Sequence, residues 1–195
     1  MLSDHVLLGF GWAIYCVLHS VLASLGAKSF FQKQLGIGYR YYRLAYTLFA
    51  FAGLAGLVWV QLSIQSLSIY IPNVFTAIVG AIVCGCGVVI MGICIRKYFL
   101  NLSGLRSLAQ EEVRPVLEIK GIHRYVRHPL YFGTFLFIWG LLLLFPLVSL
   151  ALTNLIITIY TLLALKFEEK KLVGLFGDAY KVYQQDVPQI VPNLR

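Results

Sequence analysis

Long uninterrupted apolar runs constrain this chain more than any other feature. Crossing the hydrocarbon core of a bilayer takes about 20 helical residues. Five stretches reach or approach that length: 6–25, 44–63, 74–95, 130–145 and 148–165. In hydrocarbon every backbone N–H and C=O must be bonded within the protein, so such runs fold as helices and not as open sheets. The expected fold is all-α, a single membrane domain built as a bundle of about five transmembrane helices. The last two runs are short and meet at Pro146. Proline cannot continue a helical ladder, so these two form a hairpin.

The rest of the composition agrees. Of 195 residues, 59% are hydrophobic and only 12% charged, which is not the composition of a soluble domain. A formal charge of +8 would suit nucleic acid, but no hydrophilic domain carries it. It reads instead as the cytoplasmic fringe of a membrane protein, and nucleic acid is dropped as a partner. Lysine and arginine number four in 27–43, seven in 96–129 and five in 166–195, which accounts for all 16. The positive-inside rule then places the first connection, the long 96–129 loop and the 166–195 tail in the cytoplasm, with the N-terminus outside. The first run lacks a basic leader and a small-residue cleavage site, so it is expected to be a retained helix.

Cys16, Cys84, Cys86 and Cys94 all lie in apolar segments and show no zinc-ligand spacing, so packing is their expected role and no metal is expected. Gly80, Cys84, Gly87 and Gly92 on the third run allow close helix approach in lipid.

Polar chemistry is confined to a few places. The stretch GIHRYVRHPLYFG, 121–133, sets Arg127, His128 and Tyr131 at the start of the fourth run, with Pro129 at a natural first helical position. Glu168 and Glu169 leave the fifth run about 40 residues later. A hairpin returns them to the same membrane face. The plain alternative is a solvated interfacial turn, in which Lys166 supports Glu169 at i, i+3 and Arg124 snorkels as a topology anchor. His19, in the inner half of the first run, is an ionisable group inside a membrane helix and so a functional candidate by position, with a satisfied interhelical hydrogen bond as the equal alternative.

RHPLYFG, followed by EEKKLVGLFGDAYKVYQQDVP, resembles the C-terminal cofactor-binding half of the integral-membrane isoprenylcysteine carboxyl methyltransferases, over roughly 119–192. LHSVLAS, YRLAYTLFA and GLRSL resemble the bacterial branch of that family, which includes methanethiol S-methyltransferases and NnrU-type proteins. The resemblance implies an inner-membrane enzyme that transfers a methyl group from S-adenosyl-L-methionine to a small thiol, or to a thiol or carboxylate of a lipophilic acceptor, beneath a C-terminal helical tail.

It further implies that Glu168 or Glu169 pairs the cofactor ammonium and that Arg127 meets its carboxylate. His128 with Tyr131 would hold ribose or adenine, and Tyr180 and Tyr183 would offer apolar ring faces. On the acceptor side, Arg43 or Arg106 would hold a carboxylate or favour a thiolate, with His19 nearby. Where relatives carry tyrosine, this chain has His123. Two other readings stay open: a haem-binding NnrU-like isomerase using His19, His123 or His128, and an NADPH-dependent sterol-reductase-like enzyme, which the paired glutamates oppose.

Overall fold

The computed structural model describes residues 2–102 and 116–192. Seven α-helices run through them: α1 Leu2–Ala23, α2 Leu25–Leu35, α3 Tyr42–Ser63, α4 Val74–Leu102, α5 Pro129–Leu144, α6 Val148–Phe176 and α7 Asp178–Asp186. Short 3₁₀ turns occupy Gly36–Tyr41 and Gly121–Arg124. Four stretches of the described residues are long and apolar enough to cross a membrane: Leu2–Ala23, Leu25–Ser63, Val74–Phe99 and Val148–Phe176. α5, with 16 residues, is the shorter apolar helix. The fold is an all-α membrane bundle.

Helix boundaries follow from local chemistry. Ser24 stops α1 in an extended conformation and caps α2, its Oγ accepting from the Ala27 N–H at 3.1 Å. Ahead of α4, Asn73 Oδ1 accepts from Thr76 N–H at 2.9 Å, and Thr76 Oγ1 accepts from Asn73 N–H at 3.0 Å, a reciprocal pair that satisfies two donors at the helix start. Pro129 sits in the first turn of α5. α6 continues without a break to Phe176 and stops only where Gly177 takes a positive φ of 58°. The sequence reading ended this span at 165; the helix runs eleven residues farther, about 16 Å.

The described chain divides into two compact units. The first comprises α1, α2, α3 and the start of α6. There the Gln61 side chain bridges α6, donating to Ser149 Oγ and accepting from Thr153 Oγ1, each at 2.7 Å. Three tyrosines of α1 and α3 carry their hydroxyls to acceptors: Tyr15 to Ala50 O, Tyr42 to Leu22 O, and Tyr46 paired with His19 Nε2 at 2.8 Å.

The second unit holds most of α4, α5, the remainder of α6, and α7. α4 and α5 approach with almost no side chain between them. A Cβ on Gly87 would stand 2.5 Å from Phe137 N, and one on Gly140 would stand 2.5 Å from Cys84 N. In lipid, where helix association depends on packing rather than on hydrophobic expulsion, this contact needs glycine at both crossings. All four thiols are free.

Candidate functional site

α5 and the distal part of α6 lie antiparallel within the second unit, and their polar pairs are nested. Trp139 Nε1 donates to Thr158 Oγ1 at 3.2 Å, Tyr131 OH to Glu168 Oε2 at 3.0 Å, and Arg127 Nε and Nη2 to Glu169 Oε1 and Oε2 at 3.0 Å each. The hairpin thus brings the RHPLY stretch onto the two glutamates.

Glu169 is the centre of a knot. Its Oε1 also accepts from His128 Nε2 at 2.6 Å and Tyr180 OH at 2.9 Å, and its Oε2 accepts from the Gln184 side-chain amide. Because an ionised carboxylate can only accept, Nε2 is the protonated nitrogen of His128 in this pair. Arg127 is equally committed: Nη1 donates to the carbonyls of Gln184 and Val187. The Arg127 and Glu169 side chains are 10% and 11% exposed, and their bidentate geometry is the arrangement that offsets desolvation best. Burial, reinforced by the hydrogen bond to Glu169, pushes the Tyr180 phenol well above the usual tyrosine range, so it stays a donor.

The knot fastens the tail. Arg127 N–H bonds Pro188 O at 2.9 Å, His128 N–H bonds Gln189 O at 3.1 Å, and the Tyr183 hydroxyl donates to His123 O. Tyr180, Tyr183 and Val187 form a small buried cluster against Leu117, Leu172, Val173 and Phe176. Their spacing on α7, with Gln184, is i, i+3, i+4, i+7, one face of a helix.

Glu168 differs from its neighbour. It is half-buried and takes one hydrogen bond, from Tyr131; its Oε1 has none among the described residues. The His128 and Tyr131 rings lie 5.9 Å apart beside it. His123 Nδ1 bonds Arg127 O at 3.2 Å, and burial pushes the His123 imidazole below its ordinary pKa.

The structure therefore joins Arg127, His128, Tyr131, Glu168, Glu169, Tyr180 and Tyr183 in one unit. His19 and Arg43 belong to the other unit, and Arg106 lies outside the described residues. The sequence reading missed Gln184, whose signal was its place four residues after Tyr180 on the same face of α7.

The profile of the phospholipid methyltransferase family matches residues 75–179, which contain most of this site. A methanethiol S-methyltransferase from Crocosphaera subtropica is 31% identical over 98% of this chain and 74% of its own length. One from Pseudomonas deceptionensis is 27% identical over 93% and 70%. The protein-S-isoprenylcysteine O-methyltransferase of Schizosaccharomyces pombe is 40% identical over 40% of this chain and 33% of its own length. No solved structure matches. A helical membrane bundle with such relatives is a membrane methyltransferase. The chain belongs to the phospholipid methyltransferase family.

Proposed function

We propose that this protein methylates a small thiol using S-adenosyl-L-methionine, in a bacterial inner membrane with the N-terminus outside and the tail in the cytoplasm. The observation that carries the cofactor assignment is the contrast between the two glutamates. Glu169 has both oxygens filled from within the chain, whereas Glu168 Oε1, beside Tyr131, accepts no hydrogen bond among the described residues. A carboxylate with one positioned donor and an open oxygen fits the ammonium of an amino-acid moiety, so the residues present suit the group.

When bound, S-adenosyl-L-methionine supplies a methyl group already activated on a sulfonium, so transfer depends on positioning and exclusion of water. Glu168 accepts the ammonium and Tyr131 fixes the Glu168 rotamer. His128 and Tyr131 offer ring faces to ribose or adenine. Arg127, Glu169, Tyr180 and Gln184 hold α7 to the start of α5 and so keep the tail closed. Arg127, with Nε, Nη1 and Nη2 all donating within the chain, is assigned to this strap instead of to the cofactor carboxylate.

Thiol methylation is preferred over carboxyl methylation because the Crocosphaera and Pseudomonas deceptionensis methanethiol S-methyltransferases align along 98% and 93% of the chain, whereas the isoprenylcysteine relative aligns over 40% of it. On the strength of the family resemblance, His19 and Arg43 are assigned to the acceptor side; within the first unit His19 is hydrogen-bonded to Tyr46. Calorimetric titration of S-adenosylhomocysteine tests the reading. Glu168→Gln is expected to weaken binding at least tenfold in folded protein, and unchanged binding would overturn the assignment. Headspace detection of the methyl thioether, with methanethiol as acceptor, tests the substrate.

A further inference from the structure

The connection between α1 and α3 is longer than a turn requires. α1 and α3 each have 22 residues, about 33 Å of helix, enough to cross a bilayer alone. α2 and the Gly36–Tyr41 turn are therefore surplus to the crossing, and they leave and rejoin it at one membrane face.

The composition of this surplus segment is particular. It carries Lys28, Lys33 and Arg40, with Arg43 just beyond, and no acidic residue occurs anywhere between Asp4 and Glu111. Phe30, Phe31, Tyr39, Tyr41 and Tyr42 are interleaved with these cations. At helical spacing Lys28, Ser29, Gln32 and Lys33 share one side of α2, while Ala27, Phe30, Phe31 and Leu35 share the other, with Leu25 on the polar side and Gln34 on the apolar side as exceptions.

The structure keeps this segment at the surface. No residue of α2 is buried, Phe30 is 56% exposed and Ile37, in the turn, is 85% exposed. Part of the aromatic surface is used internally: Phe31 and Tyr39 both stack on Tyr42, at centroid distances of 4.8 and 5.6 Å, Phe30 meets Phe31 edge-on at 5.4 Å, and the Arg40 guanidinium lies 4.7 Å over the Tyr41 ring. Stacking on the first residue of α3 sets the segment against the end of a membrane helix, where amphipathic aromatic rings reside.

We infer that α2 and the Gly36–Tyr41 turn form an in-plane interfacial element that binds the anionic headgroups of phospholipids, through Lys28, Lys33 and Arg40, with its aromatic side set among the outer acyl carbons. Charge complementarity selects the occupant. A segment with four cations, in a run of more than a hundred residues of sequence without a carboxylate, is drawn to a negatively charged leaflet, and apolar anchoring supplies the second signal that firm attachment needs. A protein partner would be expected to bury Phe30 and Ile37 in a fitted groove instead, and such a contact would not depend on lipid charge.

The test is amide hydrogen exchange of the full chain in nanodiscs, read over residues 25–41. Exchange is expected to be several-fold slower in discs containing phosphatidylglycerol than in phosphatidylcholine discs, and high salt removes the difference. The Lys28→Gln/Lys33→Gln/Arg40→Gln variant, with its fold checked by circular dichroism, is expected to lose the difference as well. Equal exchange of the wild-type protein in the two lipids would overturn the inference, as would a gain retained in full by the variant. Slowing by soluble glycerol phosphate in phosphatidylcholine discs would assign the cations to a free anion and also overturn it. The readout does not involve methyl transfer, so either proposal can fail without the other.

Discussion

Arg127 and Glu169, 42 residues apart in sequence, face each other as two parallel hydrogen bonds of 3.0 Å, and the adjacent Glu168 takes no part in them. Two neighbouring carboxylates thus have different surroundings: Glu169 fastens the tail, and Glu168 takes one hydrogen bond among the described residues, from Tyr131; the proposed function gives them separate duties.

That separation is measurable. Glu169→Gln leaves the Arg127 guanidinium buried without its countercharge, and removing one partner of a buried pair costs about 3 kcal/mol or more. Its Tm should fall, and limited proteolysis should cut α7, near Lys181, sooner than in the wild type. Glu168→Gln keeps an acceptor for Tyr131 and should alter stability by about 0.5 kcal/mol or less while losing the cofactor. If both variants lose binding with equal loss of stability, the division of duties is wrong.

His123 gives the protein a pH dependence of known sign. Burial holds its folded-state pKa below the ordinary 6.5, so on acidification the unfolded chain takes up a proton first. The stability it contributes is present above about pH 6.5 and is lost as pH falls through the depressed value. Tm measured against pH should decline on the acid side, and His123→Tyr should flatten that decline. An identical slope in the variant would exclude His123 as its source.

The close crossing of α4 and α5 predicts an ordered pair of outcomes. Gly87→Ala places a methyl group 2.5 Å from Phe137 N and should cost about 1–3 kcal/mol by forcing the helices apart. Gly85→Ala meets nothing within 4 Å and should be neutral. Unfolding midpoints in mixed detergent would distinguish them, and equal effects would mean that the crossing is looser than described.

In the first unit, Gln61→Leu strands two buried hydroxyls, Ser149 at 0% and Thr153 at 4% exposure. A loss of about 1–2 kcal/mol is expected, within the range found for interhelical hydrogen bonds in membranes. Adding Ser149→Ala and Thr153→Val should restore most of it, because apolar groups then replace every stranded partner. Failure of this rescue would point to packing instead of hydrogen bonding.

Much of the architecture was legible because membrane burial leaves a coarse signature: apolar runs gave an all-α bundle, and Pro146 gave the hairpin between α5 and α6. The continuation of α6 to Phe176 was hidden because 166–176 is polar enough to read as a tail, while nothing in it breaks a helix until Gly177. The convergence of RHPLY with the double glutamate followed from hairpin topology alone. Which glutamate would meet Arg127 did not, since consecutive helical residues point about 100° apart and the facing side is decided by packing. Gln184 escaped notice because an amide carries no charge, although its register with Tyr180 and Val187 was present in YKVYQQDV. Arg106, expected from the resemblance on the acceptor side, lies outside the described residues.

The unbroken passage of α6 from apolar span to polar site makes the site a matter of angular phase. Because Leu165, Glu168 and Glu169 ride one helix, a single residue inserted after Leu165 would turn both carboxylates by about 100° and present Glu168 where Glu169 now meets Arg127. Four inserted residues would bring the direction almost back and shift the pair along the axis by about 6 Å. A change in residue count would thus redirect both carboxylates at once, whereas a substitution elsewhere on this helix leaves their directions as they are.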